Sequence, residues 1–211
     1  AALVTAHGVA LESELQAYAA ARGVAGDHPG LLGIGLIERR AEAGPPRYRL
    51  LAVEPASSLA AFAGGDLRYT LPAEAPLNEA IERALSSGDA VLSGALQLGV
   101  EGQREPGFML LLPVRDGVLL AAPLSATQVF RGVVDAADRR LDFEVFDGGT
   151  AVFDHDGHLQ PGDVTSQYAD RLFAASRRLQ VASRVLTLRT STTPEFEAAY
   201  GSATPRITAA A

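Results

Sequence analysis

The sequence contains neither cysteine nor lysine among its 211 residues. Without cysteine, the chain has no disulfide, no thiolate nucleophile and no cysteine-ligated zinc. All 18 basic residues are arginine, which excludes a P-loop lysine, a Schiff-base lysine and the phosphate-binding lysine of a kinase. The motifs GxSxG, HExxH and GxGxxG are also absent. A Ser-His-Asp triad stays open as an alternative, because its members meet only in space.

The composition is that of a globular protein with an acidic surface. Hydrophobic residues make up 47% of the chain and charged residues 20%, so a packed core is expected rather than disorder. The net charge of −7 speaks against nucleic acid as a partner. No apolar run reaches the roughly 18 residues of a membrane span. Both ends are abrupt, and we expect them to be segment boundaries within a larger protein.

The first part of the chain, residues 1–26, is predicted to be a long helix. Leu11, Leu15 and Tyr18 fall on one stripe of that helix, and Gly23 is a plausible end. The stripe could pack on the domain or on a second copy of the chain. We expect a stalk helix and a homodimer.

The next part, residues 27–124, predicts an antiparallel sheet with helices. Two apolar strands come first, the helix Ala75–Leu85 follows, and three further strands complete the order. The last two strands flank Asp116-Gly117, which is a strong hairpin signal. Because several strands are apolar on both faces, we expect helices over one face and a pocket on the other, as in a PAS-like subdomain.

The remaining part, residues 125–211, predicts a connecting helix capped by Ser125 and a second, shorter PAS-like subdomain. Its strands are interrupted by a predicted helix near Ala169–Arg178. The segment DHDGH, Asp154–His158, crowds carboxylates and imidazoles, but it lacks the other ligands of a calcium loop. We interpret it as a tight hairpin turn and expect no metal and no cofactor. The whole chain is assigned to the α/β (α+β) class.

The order of six motifs resembles the CHASE domain, an extracytoplasmic sensory module of bacterial histidine kinases, diguanylate cyclases and plant cytokinin receptors. The similarity runs over about residues 27 to 200. The resemblance implies a stalk helix, a membrane-distal subdomain that binds the ligand and a membrane-proximal subdomain. It also implies transmembrane helices on both sides of this segment. The motifs are HPGLLGIGL, EAPLNEAIERALSSGDAVLSGALQL, PGFMLLLPV, FEVFD, AVFDHDG and RVLTLRTSTTPEFEAA.

The resemblance also implies a ligand site in the distal subdomain. The family's aspartate, which hydrogen-bonds an adenine ring in the plant receptors, is replaced here by Thr70. In the same receptors a leucine on the next strand offers its backbone to the ligand, and that leucine matches Leu92. A threonine hydroxyl accepts hydrogen bonds more weakly than a carboxylate, so an adenine-type cytokinin is disfavoured. A small, largely uncharged or aromatic ligand is expected instead. The candidate ligand-binding residues are Tyr69, Thr70, Leu71, Leu92, Ser93, Phe108 and Leu110.

These observations predict a sensor and not an enzyme. The chain would be the periplasmic or extracellular part of an inner-membrane receptor, whose output is a histidine kinase or a cyclase. The alternative is a PAS-like module for dimerisation or protein interaction with no small-molecule ligand. Thr70 could equally serve only to close a turn, Leu92, Phe108 and Leu110 could equally be core residues, and Ser93 could mark a bulge in the strand.

Overall fold

The computed structural model describes residues 13–21, 28–40, 47–58, 75–99, 104–134, 140–157, 159, 163 and 171–201. The chain divides into two compact units. Unit 1 comprises Ala1–Gly132 with Gln180–Val185, and unit 2 comprises Val133–Leu179 with Leu186–Ala211. Both are built on antiparallel sheets, which confirms the α+β class. Residues 13–21 are helical and are called α1. The full stalk helix and the PAS-like character of the subdomains stay predictions.

Unit 1 is built on a six-stranded sheet. Its order is β2-β1-β6-β5-β3, and the short β4 also pairs with β5. Asp116-Gly117 forms the predicted turn between β5 and β6, where Gly117 has a φ of +72° that favours glycine. The elements of this unit are β1 (Ile34–Arg40), β2 (Arg47–Glu54), a 3₁₀ turn (Ala56–Ser58), α2 (Ala75–Ser87), β3 (Val91–Leu92), β4 (Leu96–Leu98), β5 (Glu105–Arg115), β6 (Val118–Ser125) and α3 (Ala126–Val134).

Helices cover both faces of this sheet. On one face, α2 packs its buried residues Leu77, Ala80, Ile81 and Ala84 into the larger core. Their spacing of three and four residues is that of a single helical stripe. On the other face, Leu15 of α1 lies in a smaller apolar cluster with residues of β1 and β6. The sheet is therefore apolar on both sides, as the sequence predicts, but a helix packs on each face, whereas the sequence predicts helices on one face and a pocket on the other.

Unit 2 is built on a four-stranded antiparallel sheet of order β8-β7-β10-β9. Strands β7 and β8 are joined by Gly148-Gly149, and both glycines have positive φ, as a two-residue hairpin turn requires. A short helix follows the sheet. The elements are β7 (Leu141–Asp147), β8 (Thr150–Asp154), β9 (Ala174–Val181), β10 (Arg184–Thr192) and α4 (Pro194–Gly201).

One local prediction in unit 2 is wrong. A helix is predicted near Ala169–Arg178, but within the described part of that range the residues from Ala174 onward belong to β9, an edge strand that pairs with β10. Its alanine, arginine and leucine residues favour a helix locally, but pairing with β10 overrides that weak preference. The tight hairpin turn predicted for DHDGH stays a prediction, because His158 lies outside the described residues. Further along the chain, the Asp163 carbonyl accepts the Ala151 amide of β8 at 2.6 Å.

Candidate functional site

The predicted ligand site is described only on its strand side. Tyr69, Thr70 and Leu71 lie outside the described residues, so the part of the site that they would form stays a prediction. The other four candidates, Leu92, Ser93, Phe108 and Leu110, lie on β3, on β5 or directly after β3 in unit 1.

Leu92, Phe108 and Leu110 share one face of the sheet. Leu92 is directly opposite Leu110 in the antiparallel pair of β3 and β5. Phe108 is two residues before Leu110 on β5, and residues two apart on a strand point to the same side. The structure therefore brings these three predicted residues together. They form one apolar patch, which is called the strand patch below.

The strand patch lies on the side of the sheet opposite α2. The neighbouring residues Met109 and Leu111 point the other way, into the core that contains α2. Leu112, two residues beyond Leu110, is opposite Leu120, which belongs to the cluster on the α1 side. A molecule that touches the strand patch would therefore lie across the sheet from α2.

The strand patch is mostly closed to solvent by the protein itself. Leu92 is 2% exposed and Phe108 is 4% exposed, whereas Leu110 is only partly buried. All three side chains are apolar, so this patch can supply dispersion contacts and dry surroundings but no hydrogen bond. Any polar recognition of a ligand at this place has to come from other residues.

Ser93 interrupts the first of the three strands that the sequence predicts after the helix Ala75–Leu85. The chain leaves β3 after Leu92 and resumes pairing as β4 at Leu96. The Ser93 side chain is fully buried, and its Oγ accepts the Met109 amide at 2.8 Å while donating to the Gly94 carbonyl at 2.7 Å. Both functions of the hydroxyl are thus engaged within the protein. This geometry indicates a structural role, in which the Ser93 hydroxyl attaches the segment between β3 and β4 to β5.

The interruption between β3 and β4 lies close in space to the first turn of α2. A Cβ added to Gly94 would lie 3.0 Å from the Cβ of Pro76, in the first turn of α2. That distance is tighter than ordinary van der Waals contact, so a side chain at Gly94 would push against the start of the helix. Glycine lets the strand break and the helix approach each other closely.

Three polar residues, which the sequence does not predict to be in contact, join α2 to the sheet. The Tyr48 hydroxyl donates to Glu82 Oε1 at 2.8 Å, and Arg39 Nε lies 3.0 Å from the same oxygen. Burial raises the pKa of the Tyr48 hydroxyl well above its usual range, and the hydrogen bond to the Glu82 carboxylate raises it further. The tyrosine is therefore a permanent donor at physiological pH. Because the three residues lie on β2, α2 and β1, no local pattern predicts their contact.

A second buried hydroxyl organises the junction of β6 and α3. Ser125 is fully buried and donates from Oγ to Glu105 Oε2 at 2.6 Å. Ser125 Oγ also accepts the Gln128 amide at 3.2 Å, so Ser125 is the N-cap that the sequence predicts for α3. A Ser N-cap satisfies one of the free amides of the first turn. These contacts are structural and leave no free nucleophile at Ser125.

The sequence and the fold are similar to those of known sensory domains. The family model of the CHASE domain matches residues 40–155, which is more than half of the chain. The structure is similar to the periplasmic sensory domain of the Campylobacter jejuni chemoreceptor Tlp1, with a TM-score of 0.50 and 9% sequence identity. That alignment covers 79% of this chain and 73% of the chemoreceptor chain. Curated protein sequences give no significant match.

The match to the family model begins at the end of β1 and runs through unit 1 into the DHDGH loop of unit 2. It therefore includes every candidate ligand-binding residue. Among the described residues, no helix is long and apolar enough to cross a membrane. The resemblance read from the order of the motifs is confirmed: the chain belongs to the CHASE domain family.

Proposed function

We propose that this chain is the extracytoplasmic sensor domain of a transmembrane signalling receptor and that it binds a small molecule in unit 1. It would be periplasmic or extracellular and would have no catalytic activity of its own. The observation that carries the proposal is the family match over residues 40–155. The similarity in fold to a chemoreceptor's periplasmic sensory domain supports the same role.

The ligand would be small and largely uncharged or aromatic. The strand patch of Leu92, Phe108 and Leu110 offers apolar contacts, and an aromatic ring such as that of Phe108 can stack on a flat ligand. Thr70, which stands where the family has an aspartate, would give one hydroxyl in place of a carboxylate. That difference disfavours an amino-purine ligand, because a carboxylate is the stronger acceptor for its N–H groups.

Signal output would depend on parts outside this domain. Ligand binding would favour one of two arrangements of the receptor and so change the activity of a cytoplasmic histidine kinase or cyclase. A homodimer would give the stalk helices a partner against which to move. The apolar stripe of α1 could pack both on the domain and on a second copy of the chain, since Leu15 is buried in unit 1 while Tyr18 is 54% exposed.

A second candidate function is a dimerisation or protein-interaction module with no small-molecule ligand. The near-complete burial of Leu92 and Phe108 favours it, because side chains packed by the protein itself leave little surface for a ligand. Ser93 also favours the interaction module, because its hydroxyl already bonds the Gly94 carbonyl and the Met109 amide and offers no free group to a ligand.

A thermal-shift screen of a metabolite library separates the two functions. A ligand that binds only the folded state raises the melting temperature according to its concentration and affinity. Leu110→Ala and Thr70→Asp are expected to reduce that rise. Leu112→Ala is the matched control, since Leu112 lies two residues further along the same strand and is 45% exposed. A rise that is equal in all variants would place the site elsewhere, and the lack of any hit together with a stable dimer would favour the interaction module.

A further inference from the structure

Two neighbouring segments of unit 2 carry acidic side chains on the same face. Glu144 of β7 is directly opposite Asp154 of β8. Asp142 is two residues before Glu144, and Asp156 is two residues after Asp154, so alternation puts both on the side of that pair. The His155 amide donates to the Phe143 carbonyl at 3.0 Å, which continues the pairing past the end of β8.

A β-bulge creates this arrangement. The register between β7 and β8 shifts at Val145/Phe146, where one extra residue of β8 is accommodated. A one-residue slip moves every following side chain to the opposite face. Without the bulge, Asp154 would face away from Asp142. With it, the strands place like charges side by side, which is unfavourable unless something compensates.

The charges are buried and poorly satisfied. Asp142 is 1% exposed, and neither of its carboxylate oxygens has a hydrogen-bond partner of good geometry. Asp154 accepts the Leu159 amide at 2.7 Å on Oδ2, but its Oδ1 is buried without a partner. A buried carboxylate with no partner is expensive, so native proteins pair such groups with a cation or leave them protonated.

The electrostatics point the same way. Burial, and then the negative charges of Asp156, Asp154 and Glu144, together raise the pKa of Asp142 to about 7, although the Phe143 amide acts in the opposite direction. Burial also raises the pKa of Asp154. The surroundings therefore favour the addition of positive charge at this point.

The spacing of the oxygens suits a divalent cation. Asp142, Asp154 and Asp156 each offer a carboxylate oxygen, and these three atoms lie within 4.8 Å of one another. Calcium binds oxygen at about 2.3–2.6 Å, so oxygens on opposite sides of the ion are about 5 Å apart. Calcium accepts irregular arrangements of carboxylate oxygens, whereas magnesium requires near-octahedral geometry at about 2.0–2.1 Å and gives up its water reluctantly, so calcium is the better candidate for this site.

The surrounding strand supports a site at the three aspartates rather than at Glu144. In the register of β7 with β10, Arg189 is directly opposite Glu144, and its guanidinium lies 4.3 Å from the centre of the Phe146 ring. Asp142 is instead opposite Ser191, a neutral residue that is 7% exposed. The register thus gives Glu144 a cationic neighbour across the strands, whereas Asp142 has a neutral one.

We propose that Asp142, Asp154 and Asp156 bind a divalent cation of the calcium type in unit 2. The cation would join β7 to the loop that follows β8, because Asp142 lies on the strand while Asp156 lies in the loop. Asp156 is exposed, which gives the ion a path to solvent. With three carboxylates, the affinity would fall in the range of extracellular calcium modules, with a Kd on the order of 0.1–1 mM. The proposal is independent of the ligand site in unit 1.

Calcium titration of the chelator-treated protein tests the site. We expect the melting temperature to rise as calcium chloride is added up to about 10 mM, with a weaker response to magnesium chloride. Asp142→Asn and Asp156→Asn are expected to lower the affinity for calcium, measured by isothermal titration calorimetry, by about tenfold or more. Asp116→Asn is the control, because it removes an exposed carboxylate from the β5–β6 turn and should leave the affinity unchanged.

The variants also separate a cation site from a carboxylate that is simply protonated. Without calcium, Asp142→Asn should melt no lower than the wild type, since the substitution removes a buried charge and keeps the shape of the side chain. If Asp142→Asn does not fold, Asp156→Asn alone decides, because that position is exposed. The proposal is overturned if the wild type gains no stability from calcium, if both aspartate variants respond as the wild type does, or if magnesium is the stronger ligand.

Discussion

Substitution of Ser93 by alanine tests whether this residue holds the sheet together. The change removes the acceptor of the Met109 amide, whose hydrogen bond to Ser93 Oγ is 2.8 Å long, and the donor to the Gly94 carbonyl. The site is fully buried, so water cannot replace the lost groups. Leaving a buried amide unsatisfied costs about 1–3 kcal/mol. We expect Ser93→Ala to lower the free energy of unfolding by about 2 kcal/mol.

The assay is urea unfolding at equilibrium, supported by thermal melting. In a unit of this size, about 2 kcal/mol corresponds to a fall in melting temperature of about 6–10 °C. Ser86→Ala is the matched control, because its hydroxyl donates to the Arg83 carbonyl at an exposed position of α2 and should be worth less than about 0.5 kcal/mol. If Ser93→Ala is as stable as Ser86→Ala, the structural role of Ser93 is refuted and its hydroxyl becomes available to a ligand.

Three further substitutions test other parts of the account. Gly107→Ala should destabilise unit 1 in urea unfolding by about 2 kcal/mol or more, because its Cβ would clash with the backbone oxygen of Leu124. Tyr48→Phe should cost about 1 kcal/mol in the same assay, because it removes the hydrogen bond to Glu82. Glu197→Gln should remove a stabilisation that the wild type has above about pH 5 and loses on acidification, which melting curves from about pH 3 to pH 7 would show.

The sign of the last prediction follows from the contacts of the carboxylate. The Thr192 hydroxyl and then the Leu172 amide hold the pKa of Glu197 below its ordinary value. The ionised form is therefore stabilised in the folded state, and that contribution disappears as pH falls through the folded pKa. A constant difference between the wild type and Glu197→Gln from neutral to acidic pH would contradict it. Wild-type stability in Gly107→Ala or Tyr48→Phe would likewise refute the packing and the hydrogen bond described above.

The sequence predicts those elements whose signals are local. Long apolar strands, the Asp116-Gly117 turn, the helical stripe of α2 and the cap at Ser125 all depend on residues close in the chain, and the structure contains each of them, except that the strand predicted after α2 is divided at Ser93 into β3 and β4. The strand β9 was mistaken for a helix because its residues favour a helix and only pairing with β10 decides otherwise.

The candidate sites depend on register, which a single sequence specifies poorly. Pairing of Leu92 with Leu110 brings the predicted patch together, as the order of the strands allows. The aspartate cluster needs Asp142 and Asp154 on one face, and that depends on a bulge at Val145/Phe146. No local pattern announces the bulge, so the sequence directs attention to the DHDGH segment alone and misses Asp142, the most buried member of the cluster.

The most direct test of the sensor proposal is methyl NMR of the leucine-labelled domain with the strongest hit of the metabolite screen. We expect the ligand to shift the methyl signals of Leu92 and Leu110, which share the strand patch. The signals of Leu111 and Leu119, which point into the core on the α2 side, should move less. Shifts confined to Leu111 and Leu119, or no shift in any leucine of unit 1, would contradict a ligand site on the strand patch.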